Sequence, residues 1–439
     1  MNEPILSVTQ GMSSSKKIRK YLVPALLIIL LSVSTFAVYR TYTNGNRSEA
    51  NPNSYVGVAF GGNTTQEATT LIDRVKGYTN LFILDSGRNA ISENQTAIEQ
   101  ICDYAVSKGL SVIVNVGVMD YNMSNNNWFW QQKSFDAIRQ RWTEMWGNKF
   151  LGIYYNDELG GVQIDANWTQ FFLTFGQSLN VIKQPATDDL YQIYLKWLNA
   201  TYNGTMPQNY DLEANFFVKD VVAGDPGLID LKSAGITTYM SDYGLYWYDY
   251  AGGYDVLFAE LGSNCSVAEQ IAQIKGAARL QNKAWGAIIT WTYTLEPYLD
   301  SGDQIYNQML SSYQAGAKYI VIFDYPYNES SLYGVMGNDQ FLALQRFWND
   351  IHDTNYLDLS GPNAVLVLPK NYGWGMRNPN DTIWGFWPAD DKSQQIGTAI
   401  STLLTEYGVT LDIVYDDPAY PISNFGYQHI YYWNQTSIQ

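Results

Sequence analysis

Cysteine and histidine are nearly absent from this chain. Its 439 residues hold two of each: Cys102 and Cys265, His352 and His429. Two histidines cannot build a His-rich metal centre, and no Cys/His spacing for zinc occurs. There is no Ser-His-Asp arrangement, no P-loop and no dinucleotide glycine motif following a strand. The expected metal set and cofactor set are therefore empty. Positive charge is also scarce. Lys and Arg number 26 against 42 Asp and Glu. The first 40 residues hold five of the basic groups and one acid, so the remainder carries 21 against 41, a net of −20. So acidic a surface repels phosphate backbones and excludes nucleic acid as a partner. It also suits an extracellular protein that must stay soluble.

Long apolar runs are missing except for one, residues 22–38, preceded by Lys16, Lys17, Arg19 and Lys20. That length reaches the lower limit for spanning a bilayer. The positive-inside rule puts a basic tail, residues 1–20, in the cytoplasm and the chain after a signal-anchor at 21–40 outside. A cleaved signal peptide is the rival reading, with Thr35-Phe36-Ala37 as its site. Residues 41–54 are polar and read as a stalk. Sequons agree with the outward orientation. They begin at Asn46, Asn63, Asn94, Asn122, Asn167, Asn199, Asn203, Asn264, Asn328, Asn380 and Asn434, roughly twice the chance number. They mark a glycoprotein exterior.

Aromatic residues are abundant, with 14 Trp and 35 Tyr. They serve either as packed core or as platforms for pyranose faces. Eight short apolar runs alternate with helical segments: 56–60, 81–85, 112–116, 151–157, 236–242, 255–260, 286–293 and 319–324. Continuous apolar runs are the mark of buried parallel strands. Eight of them predict a (β/α)8 TIM barrel over 55–355, whose chemistry sits at the strand C-termini. The intervening helices carry one apolar stripe each, as at Ala68, Leu71, Ile72 and Val75, at Ile98, Ile101, Cys102 and Ala105, and at Val267, Ile271, Ile274 and Ala278. Cys102 is then core, and barrel geometry keeps it apart from Cys265. A large insertion, 160–233, follows the fourth strand, with a helix near 188–198 and a Tyr/Asn-rich loop at 202–212. Residues 363–439 predict a small α/β unit with strands at 364–368, 411–415 and 429–433 and a helix closed by Gly408. It reads as a truncated flavodoxin-like unit or a layer docked on the barrel.

Six of the eight runs end in acids: Asp85, Asp120, Asp157 with Glu158, Asp242, Glu260 and Asp324. Glycoside hydrolysis needs two carboxylates flanking the glycosidic oxygen, one protonated and one ionised. The candidates are Asp157 or Glu158 after strand four, then Asp242, Glu260 and Glu296. Tyr155, Tyr243, Trp247, Trp291 and Tyr293, with Asp85 and Asp324, are candidate substrate contacts. The acids at 157 and 158 are otherwise readable as an N-cap or a loop salt bridge, and the ring-rich loop 242–250 as a packed cap over the barrel mouth.

Segments 154–161 (YYNDELGG), 241–255, 275–293, 315–326 and 368–390 resemble glycoside-hydrolase-like barrel proteins of archaea and some bacteria. The resemblance covers about residues 55–433. The barrel followed by a small α/β unit is similar in architecture to family-42 β-galactosidases. Barrel glycosidases of the large retaining clan put the acid/base Glu directly after Asn at the end of strand four, and the nucleophile at the end of strand seven. Here the order is Asn156-Asp157-Glu158, offset by one, and strand seven ends 290–293 (TWTY) with Glu296 beyond it. The barrel, the strand-end acids and the ring-rich loops point to a glycoside hydrolase or related carbohydrate-active enzyme acting on a carbohydrate, and the apolar run at 22–38 to its being membrane-anchored and extracellular. The alternative is a non-catalytic surface glycoprotein that binds envelope glycans or a partner protein.

Overall fold

The structure is a computed structural model that describes residues 54–86, 91, 94–116, 132–166, 168, 207–262, 265–326, 331–354 and 356–435. The segment 22–38, residues 41–53 of the stalk, the helix near 188–198 and Asp120 lie outside the described residues. Among the described residues no helix is long and apolar enough to cross a membrane.

All eight expected runs are strands. They are β1 (Tyr55–Phe60), β2 (Leu81–Leu84), β3 (Ser111–Asn115), β4 (Phe150–Tyr154), β5 (Thr238–Asp242), β6 (Val256–Leu261), β7 (Ala284–Ile289) and β8 (Tyr319–Asp324). They pair in chain order, and β8 pairs parallel with β1 to close the barrel. Two C-terminal ends fall three or more residues short of expectation. β4 stops at Tyr154 because Asn156 turns left-handed at φ 62°. β7 stops at Ile289, short of Tyr293, because the Thr292 and Tyr293 amides both donate to the Tyr298 carbonyl and close a turn.

The helices between them are α1 (Thr65–Val75), α2 (Gln95–Ser107), α3 (Gln132–Trp146), α4 (Leu159–Asp165), α5 (Tyr210–Phe216), α6 (Pro226–Ser233), α7 (Tyr246–Gly252), α8 (Val267–Leu280), α9 (Gly302–Gln314) and α10 (Asn338–Asp353). The α1 and α2 stripes are buried as expected, Cys102 included, and both cysteines are free. Residues 210–212, expected in a loop, open α5 instead, because the Asn209 side chain caps the Leu212 amide.

Strand side chains alternate between two packed layers. Ala59, Leu81, Ile83, Ile113, Tyr154, Tyr239, Val256, Phe258, Ile288, Tyr319 and Val321 form a separate cluster inside the barrel. The opposite parity packs outward against the helices in the larger core.

Beyond α10 lie β9 (Ala364–Leu368), α11 (Asp391–Tyr407), β10 (Leu411–Tyr415) and β11 (His429–Tyr432). The strands form one parallel sheet in the order β10-β9-β11. β10 docks on α8, where a Cβ on Gly276 would lie 2.4 Å from the Ile413 carbonyl oxygen. Only glycine permits that approach. At the same contact the Asp412 carboxylate takes Lys275 Nζ at 3.0 Å and Arg279 Nε at 2.6 Å.

Candidate active site

Alternation decides which strand-end acids reach the barrel mouth. Leu81 and Ile83 point inward, so Asp85 does as well. By the same period Ile113 leads to Asn115, Tyr239 to Ser241, and Val256 and Phe258 to Glu260. Asp242 and Asp324 have the other parity and face the helix layer.

The inward groups form one polar network. Asn115 Nδ2 donates to Asp85 Oδ1 at 2.6 Å. The Tyr154 phenol donates to Asp157 Oδ1 at 2.6 Å and lies 2.7 Å from Ser241 Oγ. The Ser241 amide in turn donates to the Tyr154 oxygen at 3.0 Å. Ser241 Oγ is 2.5 Å from Glu260 Oε1 and 3.1 Å from Asp157 Oδ1, so those two carboxyl oxygens lie no more than 5.6 Å apart.

Burial and neighbouring charge act on Glu260 and Tyr154. Burial, then the charges of Glu158 and Asp157, hold the Glu260 carboxyl well above the ordinary range. The Ser241 hydroxyl offsets this only in part. Burial and then the charges of Asp157, Asp85 and Glu260 also raise the Tyr154 phenol, which keeps its proton as a donor. A strand-end carboxyl raised by burial and by neighbouring acids is the kind of group acid–base chemistry uses.

Asp157 and Glu158 sit in a strained turn. Asn156 (φ 62°) and Glu158 (φ 51°) are both left-handed, on either side of Asp157. Non-glycine residues in that region are uncommon and collect at functional sites. Both acids are partly exposed. Glu158 occupies the N-cap position of α4, yet its side chain makes no capping hydrogen bond.

The other candidates lie elsewhere. Asp242 is wholly buried and accepts four backbone N–H groups, from Gly160, Gly161, Tyr243 and Gly244. Asp324 is buried, accepts the Met336 amide at 3.2 Å, and is pushed up to about 7 by burial. Glu296 lies in the exposed loop beyond β7. Tyr155 is fully buried, its hydroxyl on Asp225 Oδ1 at 2.6 Å. Trp247 is buried against Tyr415 and Tyr420 of the C-terminal layer. Tyr243 donates to Asp165 and lies under the Arg377 guanidinium. Trp291 is partly exposed and packs on Tyr325 at 5.3 Å, and Tyr293 is 46% exposed. Of the sequons, Asn63, Asn94, Asn380 and Asn434 are described and all four are exposed. Asn46, Asn122, Asn167, Asn199, Asn203, Asn264 and Asn328 are outside the described residues.

Three network members escaped the sequence reading: Asn115, Tyr154 and Ser241. Counting by twos from the buried strand residues would have found them.

The sequence matches no family model and no curated protein. Solved structures with a similar fold include GH5_18 from Streptomyces cattleya in complex with GlcNAc, at 10% identity and TM-score 0.44, covering 87% of this chain and 99% of that one. GH5_18 from Bifidobacterium longum is similar at 8% identity and TM-score 0.46, covering 88% and 98%. Thiamine phosphate pyrophosphorylase from Pyrococcus furiosus is similar at 9% identity and TM-score 0.32, covering 69% and 96%. These likenesses are distant, and no residue's role follows from them.

Proposed function

We propose that the barrel mouth is the active site of a glycoside hydrolase. Glu260 is the proton donor and Asp157 the ionised partner, with Glu158 beside it. The carrying observation is the approach of Glu260 Oε1 to Asp157 Oδ1 within 5.6 Å across Ser241 Oγ, with the Glu260 carboxyl raised by burial and by its anionic neighbours. A spacing of about 5–5.5 Å is that of retaining enzymes, and inverting pairs stand about 6.5–9.5 Å apart. In that reaction Glu260 gives its proton to the glycosidic oxygen as the C–O bond breaks. Asp157 takes the anomeric carbon. Glu260 then removes a proton from water, which displaces Asp157 and frees the sugar.

Asp85 with Asn115 supplies polar contacts to sugar hydroxyls, and Trp291 with Tyr325 offers ring faces. The carbohydrate-processing unit stands outside the cell on an N-terminal membrane anchor, a reading supported by the basic cluster before residues 22–38 and by exposed sequons. The C-terminal layer is read as a truncated flavodoxin-like unit.

One observation favours the non-catalytic reading. Tyr155 and Trp247, expected as sugar platforms, are buried in packing. A panel of aryl glycosides and a glycan array separate the two readings. Turnover lost in Glu260→Gln supports the enzyme, and glycan binding without turnover supports the surface-binding protein.

A further inference from the structure

Behind the network lies a second acid pair that the reaction does not use. Asp242 Oδ2 accepts the Gly160 amide at 2.6 Å. Its Oδ1 accepts Gly161 at 2.8 Å, Tyr243 at 2.7 Å and Gly244 at 3.0 Å. Two of these donors belong to α4, which starts directly after Glu158, and two to the loop after β5. Gly160 and Gly161 must be glycine for this to happen. A Cβ on Gly160 would lie 2.6 Å from the Gly244 carbonyl oxygen, and one on Gly161 2.2 Å from the Tyr243 ring. Asp249, on α7, is also wholly buried, and no donor reaches either of its oxygens. After burial, the Asp242 charge is what raises its carboxyl most.

Resting on the reading of the mouth as a glycosidase site, we infer that Asp242 is a positioning residue. It ties α4 to the β5 loop and so holds Asp157 and Glu158 against Glu260. Asp249 is the protonated member of the pair. Burial raises both carboxyls. Four backbone N–H groups favour the Asp242 anion, and that anion raises Asp249 further. The titratable groups around them are Tyr243, Tyr246, Tyr250 and Glu260. Among the described residues no cation pairs with either acid. Ionising Asp249 therefore puts two anions side by side in the core and loosens the tie.

The test is backbone hydrogen exchange on the full-length protein, with kinetics alongside. In Asp242→Asn, protection at the Gly160, Gly161 and Gly244 amides falls about tenfold, the scale of one lost buried hydrogen bond. In the same variant kcat falls while KM holds. In the wild type that protection also declines as pH rises, after correction for intrinsic exchange. In Asp249→Asn no second anion can form beside Asp242, so protection is retained and its pH dependence disappears. Unchanged protection in Asp242→Asn, or wild-type pH dependence in Asp249→Asn, overturns the inference. Exchange needs no turnover, so a wild type that cleaves no glycoside would sink the enzyme reading and leave this tie to be judged on its amides.

Discussion

Ser241 and Asp242 are neighbours in sequence whose side chains serve opposite sides of the barrel wall. Ser241 Oγ points inward, 2.5 Å from Glu260 Oε1. Asp242 points outward and gathers four backbone amides. One strand end thus contributes a hydroxyl to the candidate chemistry and a carboxylate to the scaffold that holds it.

Ser241→Ala shifts the pH profile in a defined direction. The hydroxyl stabilises the Glu260 anion, so its removal raises the Glu260 pKa further. A proton donor must be protonated to act. The alkaline limb of kcat/KM therefore moves to higher pH, by an amount read from the full profile. A limb that moves down, or stays, argues against Glu260 as the donor.

Two tryptophans among the candidate contacts separate by function. Trp247→Ala removes a ring packed against Tyr415 and Tyr420. It costs about 3–5 kcal/mol of stability, the usual range for a buried aromatic. Trp291→Ala leaves stability within about 1 kcal/mol and raises KM for a glycan. Denaturant unfolding and Michaelis kinetics on both variants check the pair of outcomes.

The sheet–barrel junction depends on Asp412. Lys275 is buried there, and burial lowers its pKa against the opposing effect of Asp412. Asp412→Asn strands that ammonium and costs about 3–5 kcal/mol, the usual loss when one partner of a buried pair is removed. Cooperative unfolding at the wild-type midpoint would show that the pair contributes nothing.

Glu213 on α5 makes stability fall with pH. It is wholly buried, and burial alone raises its carboxyl well above the ordinary value. The folded state then keeps a proton that the unfolded state loses above about pH 4.3. That contribution to stability is complete below this pH and declines as pH rises towards the folded pKa. Glu213→Gln keeps an oxygen for the Gln163 amide, which donates to Glu213 at 3.1 Å. The variant should match the wild type in Tm near pH 4 and exceed it at pH 8.

The fold was legible because buried parallel strands leave continuous apolar runs, and all eight stood in the sequence. The site was half legible. Asp157, Glu158 and Glu260 were visible as strand-end acids, but so were Asp242 and Asp324, which face the helices. Composition at a strand end does not carry direction. Phase does, and Phe258 to Glu260 or Tyr239 to Ser241 would have given it. Trp247 and Tyr155 were misleading for a different reason. A ring at a barrel rim looks the same in sequence whether it meets a sugar or a second layer, and here β10 and α6 cover them. Nor could the sequence show Asn156 and Glu158 turning left-handed, since neither is glycine.

The most direct measurement is the hydrolysis of an activated aryl glycoside by Glu260→Ala, with and without azide. If Glu260 is the proton donor beside an Asp157 nucleophile, a leaving group that needs no proton still departs. Turnover then drops about 10²–10⁴-fold on unactivated glycosides, and azide accelerates release as a glycosyl azide of retained configuration. Wild-type turnover by Glu260→Ala on an unactivated glycoside would contradict the assignment.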